Sequence, residues 1–377
     1  MSEDLMKKFE TAAGPLPNPW ITQWKQDGKK VVGYFCCYIP DEIIHAANIL
    51  PYRISARGHK DTTDADALLS RLNCSSARYI LDKALNEGFS FSDGLIGFNS
   101  CDHMRRMFDN WKYKIASTKY LHFLSIPHHT DDLAVDWFIK EIKTLKESLE
   151  KYFKIQITED KIKSSTKLYN ETRDLLKKLY ETRKTEAPKI SGTEALNITT
   201  AATAIPKEAF NDMLKQFLDY LPKREGIVGR PRLMLIGSIL DDPDYVKIIE
   251  DLGGLVVTDS LCFGTRYFWD MPDTAKDPIE NLALKYLKKS PCPRMIDKGG
   301  DFKVREKFML DMIKEFHIDG VIFENMKFCD FWTGERYMTQ QRFKELDIPI
   351  LDLEREYLTS GIGQMKTRVQ AFLEVLE

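Results

Sequence analysis

Two Cys-Asp dipeptides, beginning at Cys101 and Cys329, are the parts of this sequence best suited to do chemistry. Each follows an Asp-Gly pair and a short apolar run, at residues 93–98 in one half and 319–323 in the other. Short apolar runs of this kind indicate buried strands of a parallel sheet. Each thiol then lies just beyond the carboxyl end of a strand, which is where open α/β sheets bind ligands. The spacing therefore predicts that the two halves direct thiols into one crevice.

The elements that position these thiols repeat along the chain. Residues 31–54 and 232–259 each show a strand pattern, a helix pattern and a second strand pattern, in that order. A cysteine follows each second strand, Cys74 in the first half and Cys262 in the second, and each is followed closely by Arg-Tyr. The shared order predicts an internal repeat of two βα units and an α/β fold.

At 377 residues the chain is long enough for two domains that each bury their own core. We predict an N-terminal α/β domain over residues 1–130, a helical connecting region over 131–225 and a C-terminal α/β domain over 226–377. In the connecting region, apolar residues at about helical spacing predict a long pair of helices with solvated charges on their outer faces.

The charge balance gives no sign of a strongly charged partner. Lys and Arg number 55 and Asp and Glu 57, so the net charge of −2 predicts neither a nucleic acid nor an anionic membrane as a partner. Neither a basic-then-apolar leader nor an apolar run long enough to span a bilayer is visible in the sequence. We therefore expect a cytoplasmic protein.

The seven cysteines leave two interpretations open. Buried cysteine often serves as a small apolar side chain, and disulfides are not expected in a reducing compartment. The sequence has no Cys-x-x-Cys pair, which argues against a zinc ribbon, a thioredoxin-type site or a ferredoxin-like loop. Metal ligands drawn singly from separate strand ends therefore stay open beside a packing role.

Four segments in order carry a resemblance to a known family. They are Tyr-Ile-Pro-Asp-Glu-Ile-Ile-His-Ala-Ala at 38–47, Asn-Ser-Cys-Asp-His-Met-Arg-Arg at 99–106, Met-Lys-Phe-Cys-Asp at 326–330, and a stretch from Glu-Arg-Glu-Tyr to Gln-Ala-Phe at 354–372. Together they resemble the benzoyl-CoA reductase and 2-hydroxyacyl-CoA dehydratase family, over nearly the whole chain. The resemblance implies two flavodoxin-like parallel-sheet domains with additional helices, in agreement with the repeat.

The resemblance also implies a 4Fe-4S cluster in the cleft between the domains. By motif match its ligands are Cys74, Cys101 and Cys329, which leave one iron for a fourth ligand or for substrate. Cys37, just before the first family segment, is the candidate fourth ligand, and the adjacent Cys36 leaves that assignment open.

Other residues receive weaker roles. Cys262 and Cys292 are interpreted as structural, although a larger cluster would use additional cysteines. Glu42, at the predicted start of a helix near the cleft, is a candidate proton-transfer group. Stabilising the start of that helix is an equal alternative for Asp41 or Glu42.

The chemistry implied by the family is the formation of a ketyl-type radical on an acyl-CoA thioester by a very low-potential electron donor. Family members receive the electron from a separate ATP-dependent iron-sulfur activator, and this sequence has no phosphate-binding Gly-x-x-x-x-Gly-Lys-Ser/Thr motif of its own. A homologous family subunit, or a second copy of this chain, is the expected partner. Benzoyl-CoA-reductase-like ring reduction is the leading prediction. Dehydration of a 2-hydroxyacyl-CoA and a non-catalytic electron-relay or structural role are the alternatives.

Overall fold

The structure, a computed structural model, describes residues 2–289, 292–296, 301–358 and 362–376. Within these residues the strands form two four-stranded sheets, and every strand pair is parallel. The strands of the first sheet are β1 (Lys30–Tyr34), β2 (Ile49–Arg53), β3 (Gly94–Phe98) and β4 (Tyr120–Leu124). Those of the second are β5 (Arg232–Gly237), β6 (Leu255–Ser260), β7 (Gly320–Met326) and β8 (Ile350–Arg355).

The two sheets have the same strand order. The first runs β2-β1-β3-β4 and the second β6-β5-β7-β8. In each sheet the second strand lies on one side of the first strand and the third strand lies on the other, so the first and third strands are neighbours. The carboxyl ends of those two strands flank the crevice in which open α/β sheets bind ligands. The prediction of two flavodoxin-like parallel-sheet domains built on a repeat is confirmed.

The central strands are buried as the apolar runs predict. All five residues of β3 and all seven of β7 are buried, which is typical of parallel strands covered by helices on both faces. The edge strand β8 is only partly buried.

One aspartate in each half fixes the start of the central strands. The backbone N–H of Val31 donates to a carboxylate oxygen of Asp93 at 2.9 Å, and the Val31 carbonyl accepts from the Asp93 N–H at 2.8 Å. In the second sheet Arg232 and Asp319 make the same reciprocal pair at 2.7 and 2.9 Å. The Asp-Gly that opens each motif thus joins adjacent strands at the amino ends of the sheet.

Helices cover the sheets and link them. Those of the first half are α1 (Ser2–Ala13), α2 (Pro19–Gln26), α3 (Asp41–Ala46), α4 (Thr63–Asp66), α5 (Ser75–Leu85) and α6 (Asp102–Lys114). The connecting helices are α7 (Asp132–Phe153), α8 (Glu159–Glu181), α9 (Gly192–Ala201) and α10 (Lys207–Tyr220), followed by a 3₁₀ turn (Leu221–Lys223). The second half adds α11 (Pro243–Asp251), α12 (Thr265–Phe268), α13 (Pro278–Lys288), α14 (Asp301–Glu315), α15 (Asp330–Glu345) and α16 (Ile362–Leu376).

The long helical pair predicted in the connecting region is α7 and α8. The Asp131 carboxylate accepts from the Ala134 N–H at 2.9 Å and caps α7, and Thr158 caps α8 in the same way. Phe138 and Ile142 lie on the buried stripe of α7. The domain boundaries at 130 and 225 stay a prediction.

The apolar core is continuous across both halves. Val32 and Ile96 of the first sheet belong to the same buried cluster as Ile236 and Phe323 of the second. The carboxyl edges of the two sheets are therefore parts of one packed body. Among the described helices, none combines the length and apolar character needed to cross a membrane.

Candidate functional site

Three of the cysteines stand at the N-termini of helices. Cys74, Cys101 and Cys329 are the N-cap residues of α5, α6 and α15, and we call them the helix-end thiols. Cys101 follows β3 after a short turn, and Cys329 follows β7 in the same way. The prediction that both thiols lie just beyond strand ends is confirmed.

Peptide groups of the first helical turns face these sulfur atoms. Burial raises the pKa of both Cys74 and Cys329, and first-turn peptide groups, those of Ser76 and Ala77 for Cys74 and that of Trp332 for Cys329, act in the opposite direction. Peptide groups at a helix start, together with the helix dipole, favour a thiolate or a metal-bound sulfur.

The helix-end thiols are close enough to influence one another. Burial, with a further contribution from Cys101, raises the pKa of Cys74 to about 12. Burial, with contributions from Cys74 and Cys101, holds the pKa of Cys329 well above its usual range. Thiols of both halves therefore share one low-dielectric region, and metal binding there would have to displace their protons.

His103 and Met326 tie the region together. The Cys74 N–H donates to Nδ1 of His103 at 3.1 Å, so the ring proton lies on Nε2, which is 3.8 Å from the Asp330 carboxylate. The sulfur of Met326, from β7, lies 3.3 Å from that of Cys74. Sequence reasoning assigned no role to His103 or Asp330, although each lies beside a predicted ligand.

The helix-end thiols can be compared with the donors that a single ion and an iron-sulfur cluster each require. Among the described residues, no three His, Cys, Asp or Glu side chains are placed to hold one metal ion. In an iron-sulfur cluster each thiolate binds a different iron, so the thiols need to surround a volume and not to meet at a point. Three free thiols, drawn from both sheets and facing helix N-termini, fit that donor set.

The other four cysteines form a second group, which we call the inner thiols: Cys36, Cys37, Cys262 and Cys292. A hydrogen bond from Cys36, followed by the charges of Lys289 and Arg53, holds the pKa of Cys37 well below its usual range. Cys292 interacts electrostatically with Cys37 and Cys262, and also with Cys329. Cys37 is thus associated with Cys36, and Cys292 interacts electrostatically with thiols of both groups, a relation that sequence spacing did not reveal.

Glu42 lies in a buried network of charges and tyrosines. Its carboxylate pairs with Arg173 and accepts from the Tyr286 hydroxyl at 2.7 Å. Burial opposes its ionisation, but Arg173 and Lys285 outweigh burial and keep the Glu42 pKa below its usual value. Both Asp41 and Glu42 are in the first turn of α3, as the alternative interpretation requires. The proton-transfer role of Glu42 stays a prediction.

Two cavities differ in their relation to the thiols. A cavity of about 580 Å³ is lined by Phe328 and Asp330, the neighbours of Cys329, together with Lys327 and Thr333. A larger one of about 1050 Å³ lies among α8, α10 and α13. Neither lining includes a cysteine among the residues that the structure describes, but the smaller cavity contains both sequence neighbours of Cys329.

Fold and thiols together define a class of protein with two parallel sheets of the same strand order and a cysteine at the helix start beyond a central strand of each. The sequence model of the family described as 2-hydroxyglutaryl-CoA dehydratase, D-component, matches residues 36–376, and the chain belongs to that family.

Several relatives align with the chain over almost its whole length. It is 29% identical to a benzoyl-CoA reductase subunit of Thauera aromatica over 372 residues, which cover 96% of this chain and 95% of the relative. It is 25% identical to the (R)-phenyllactyl-CoA dehydratase beta subunit of Clostridium sporogenes, with 93% of each chain covered. It is 23% identical to the beta subunit of (R)-2-hydroxyglutaryl-CoA dehydratase of Acidaminococcus fermentans, with 99% of each covered. The family resemblance is therefore confirmed.

Proposed function

We propose that this chain is the iron-sulfur subunit of a low-potential, radical-type enzyme that acts on acyl-CoA thioesters, with aromatic ring reduction of the benzoyl-CoA reductase type as its reaction. The observation that carries the proposal is the grouping of Cys74, Cys101 and Cys329, from both sheets, at helix N-termini facing one region.

In this proposal Cys74, Cys101 and Cys329 hold a 4Fe-4S cluster. When bound, the cluster supplies one-electron chemistry at low potential. The first-turn peptide groups of the three helices favour the negatively charged form of the ligand sulfurs. His103 orients the Cys74 backbone through its Nδ1. Packing of both halves leaves the thiols half-buried, which limits the water that can reach a reactive radical there.

The cavity beside Cys329 provides the approach for the thioester. Lys327 and Thr333 supply polar groups at its wall, and Gly334 leaves open space, since a Cβ there would meet nothing within 4 Å. Substrate can therefore approach the N-terminus of α15, where Cys329 lies, without passing through the apolar core.

Partners follow from the relatives and from the reaction. The relatives are each named as one subunit of an enzyme, which supports pairing of this chain with a homologous subunit or with a second copy. Because the sequence has no phosphate-binding loop, the ATP-driven supply of electrons falls to a separate iron-sulfur activator.

Dehydration of a 2-hydroxyacyl-CoA is the second candidate. The family description and two of the relatives above name dehydratases, and the identities of 29%, 25% and 23% lie close together. The reductase stays the lead because the segments around Cys101 and residues 353–357 look more like that branch.

Counting product per electron separates the two reactions. Dehydration returns its electron at the end of each cycle, whereas ring reduction consumes an electron pair for every product. The complex is incubated anaerobically with activator, ATP and a limiting amount of reductant, with benzoyl-CoA or a 2-hydroxyacyl-CoA as substrate. We expect product from benzoyl-CoA that stops when the reductant is exhausted. Many turnovers per electron on the hydroxyacyl thioester would replace the lead with the dehydratase, and inactivity on both would favour an electron-relay or structural role.

A further inference from the structure

Three cations are buried against the inner thiols. Arg53, Arg266 and Lys289 are each exposed by 2% or less. The salt bridges formed among the described residues include none of the three. Buried charges are normally paired, because desolvating an unpaired cation is costly. Arg53 and Lys289 have carbonyl acceptors instead, and the buried Glu324 carboxylate acts on Arg266 electrostatically without forming a salt bridge with it.

Arg53 and Lys289 hold the inner thiol segments through their own hydrogen bonds. The Arg53 guanidinium donates to the carbonyl oxygen of Cys262 at 2.5 Å and to its sulfur at 2.9 Å. The Lys289 ammonium donates to the carbonyl oxygens of Cys37 at 2.5 Å and of Arg266 at 2.9 Å. These contacts join segments of both halves around the thiols.

Arg266 differs because much of its hydrogen-bonding capacity is unused. One terminal nitrogen donates to the Gly237 carbonyl oxygen at 2.9 Å, but Nε and Nη1 have no acceptor among the described residues. Leaving such donors buried without a partner costs free energy. The side chain is only 1% exposed, so bulk water is not an easy substitute. The arrangement therefore indicates an acceptor that is not one of those residues.

Two contacts locate that acceptor beside the candidate cluster site. The guanidinium carbon of Arg266 lies 4.6 Å from the ring centre of Trp332, a residue in the first turn of α15, whose N-cap is Cys329. The charge of Arg266 also acts on Cys292, one of the inner thiols. Arg266 thus lies beside the start of the helix that begins after Cys329.

We propose that Arg266 donates hydrogen bonds from Nε and Nη1 to sulfur atoms of the iron-sulfur cluster and, with Arg53 and Lys289, raises its reduction potential. The inference rests on the proposed function, since it requires the cluster. An electron taken up from the low-potential donor adds negative charge in a buried site, and nearby cations and hydrogen bonds to sulfur favour that reduced form. Arg266 is in this sense a positioning residue that makes the cluster reducible.

The test measures the midpoint potential of the cluster in anaerobic redox titrations of the full-length protein. Arg266→Gln removes both the charge and the donors, and we expect its equilibrium constant for one-electron reduction to fall by about tenfold, which corresponds to about 59 mV. Arg266→Lys keeps the charge and loses the forked donors, so we expect a smaller shift in the same direction.

Arg183→Gln is the matched control. Arg183 is also 1% exposed with an unpartnered Nε among the described residues, but its guanidinium lies 4.7 Å from the Tyr180 ring centre and donates to the Val256 carbonyl, away from the thiols. Its replacement is expected to leave the potential unchanged.

Iron content and circular dichroism are measured on every variant. If wild-type protein binds no iron, both the proposed function and this inference fail. If wild type and the folded Arg266 variants carry equal iron and share one potential, the inference alone is overturned. Should Arg266→Gln not fold, Arg266→Lys decides: a lowered potential supports the inference and an unchanged one refutes it.

Discussion

The helix-end thiols and the inner thiols use the same side chain in one region, but their surroundings differ. Cys74, Cys101 and Cys329 are the N-cap residues of three helices, and the first-turn peptide groups oppose the rise in pKa that burial causes. The inner thiols lie among buried side-chain cations, with Arg53 bonded directly to the sulfur of Cys262. The comparison shows that being a cysteine and lying beyond a strand end do not by themselves define a residue's role. The first environment suits a ligand, and the second suits control of the charge beside it.

The most severe test of this comparison removes one ligand from the helix-end group. Cys101→Ser should abolish the brown colour of anaerobically isolated protein and reduce iron from about four per cluster to a trace, because a hydroxyl is a poor substitute for a thiolate ligand. Cys292→Ser, in the inner group, is the control and should retain its iron. Iron and acid-labile sulfide assays decide the matter. Full iron content in Cys101→Ser would contradict the ligand assignment.

A second test concerns a buried cation that, unlike those beside the inner thiols, is paired with a carboxylate: Arg173 with Glu42. Glu42→Gln leaves Arg173 buried without its carboxylate, and we expect the free energy of unfolding to fall by about 3–5 kcal/mol. The folded-state pKa of Glu42 is lowered, so its contribution is present above the unfolded pKa of about 4.3 and is lost as pH falls through the folded value. The difference between wild type and variant in denaturant titrations should therefore shrink in acid.

Glu159→Gln provides the control for that measurement, because Glu159 pairs with Lys163 at the surface and exposed pairs contribute little. Unchanged stability combined with lost activity in Glu42→Gln would instead favour the predicted proton-transfer role.

The smallest expected effect concerns Cys37. Because Cys37 is hydrogen-bonded with Cys36 and surrounded by cations, we expect Cys37→Ser to keep its iron and to alter only the electronic spectrum of the reduced cluster. Electron paramagnetic resonance of reduced samples provides the measurement. Loss of iron from Cys37→Ser would identify Cys37 as the fourth ligand and would contradict the division of the cysteines into two groups.

The fold could be predicted to a large extent because its signals are local. Apolar runs after Asp-Gly mark buried parallel strands, and the helical spacing that includes Phe138 and Ile142 marks α7. The Cys-Asp positions beyond β3 and β7 follow from the same pattern.

The division of the cysteines into two groups could not be predicted in this way. It depends on Arg53 meeting Cys262 and on Lys289 meeting Cys37, contacts between residues more than 200 positions apart. The environment of Glu42 likewise depends on Arg173 and Tyr286 from distant helices. Spacing along one sequence contains no record of such long-range pairs.

The reciprocal Asp93–Val31 and Asp319–Arg232 pairs connect adjacent strands in the same way at the amino ends of both sheets. The carboxyl ends differ in the number of helix-end thiols that lie beyond them. The first half brings Cys74 and Cys101 to the shared face, and the second brings Cys329 alone. A hypothetical dimer of the first half would contain two copies each of Cys74 and Cys101, and a dimer of the second half would contain two copies of Cys329. Neither dimer would combine all three helix-end thiols. The proposed set of ligands therefore requires both halves, although the two halves share one strand order.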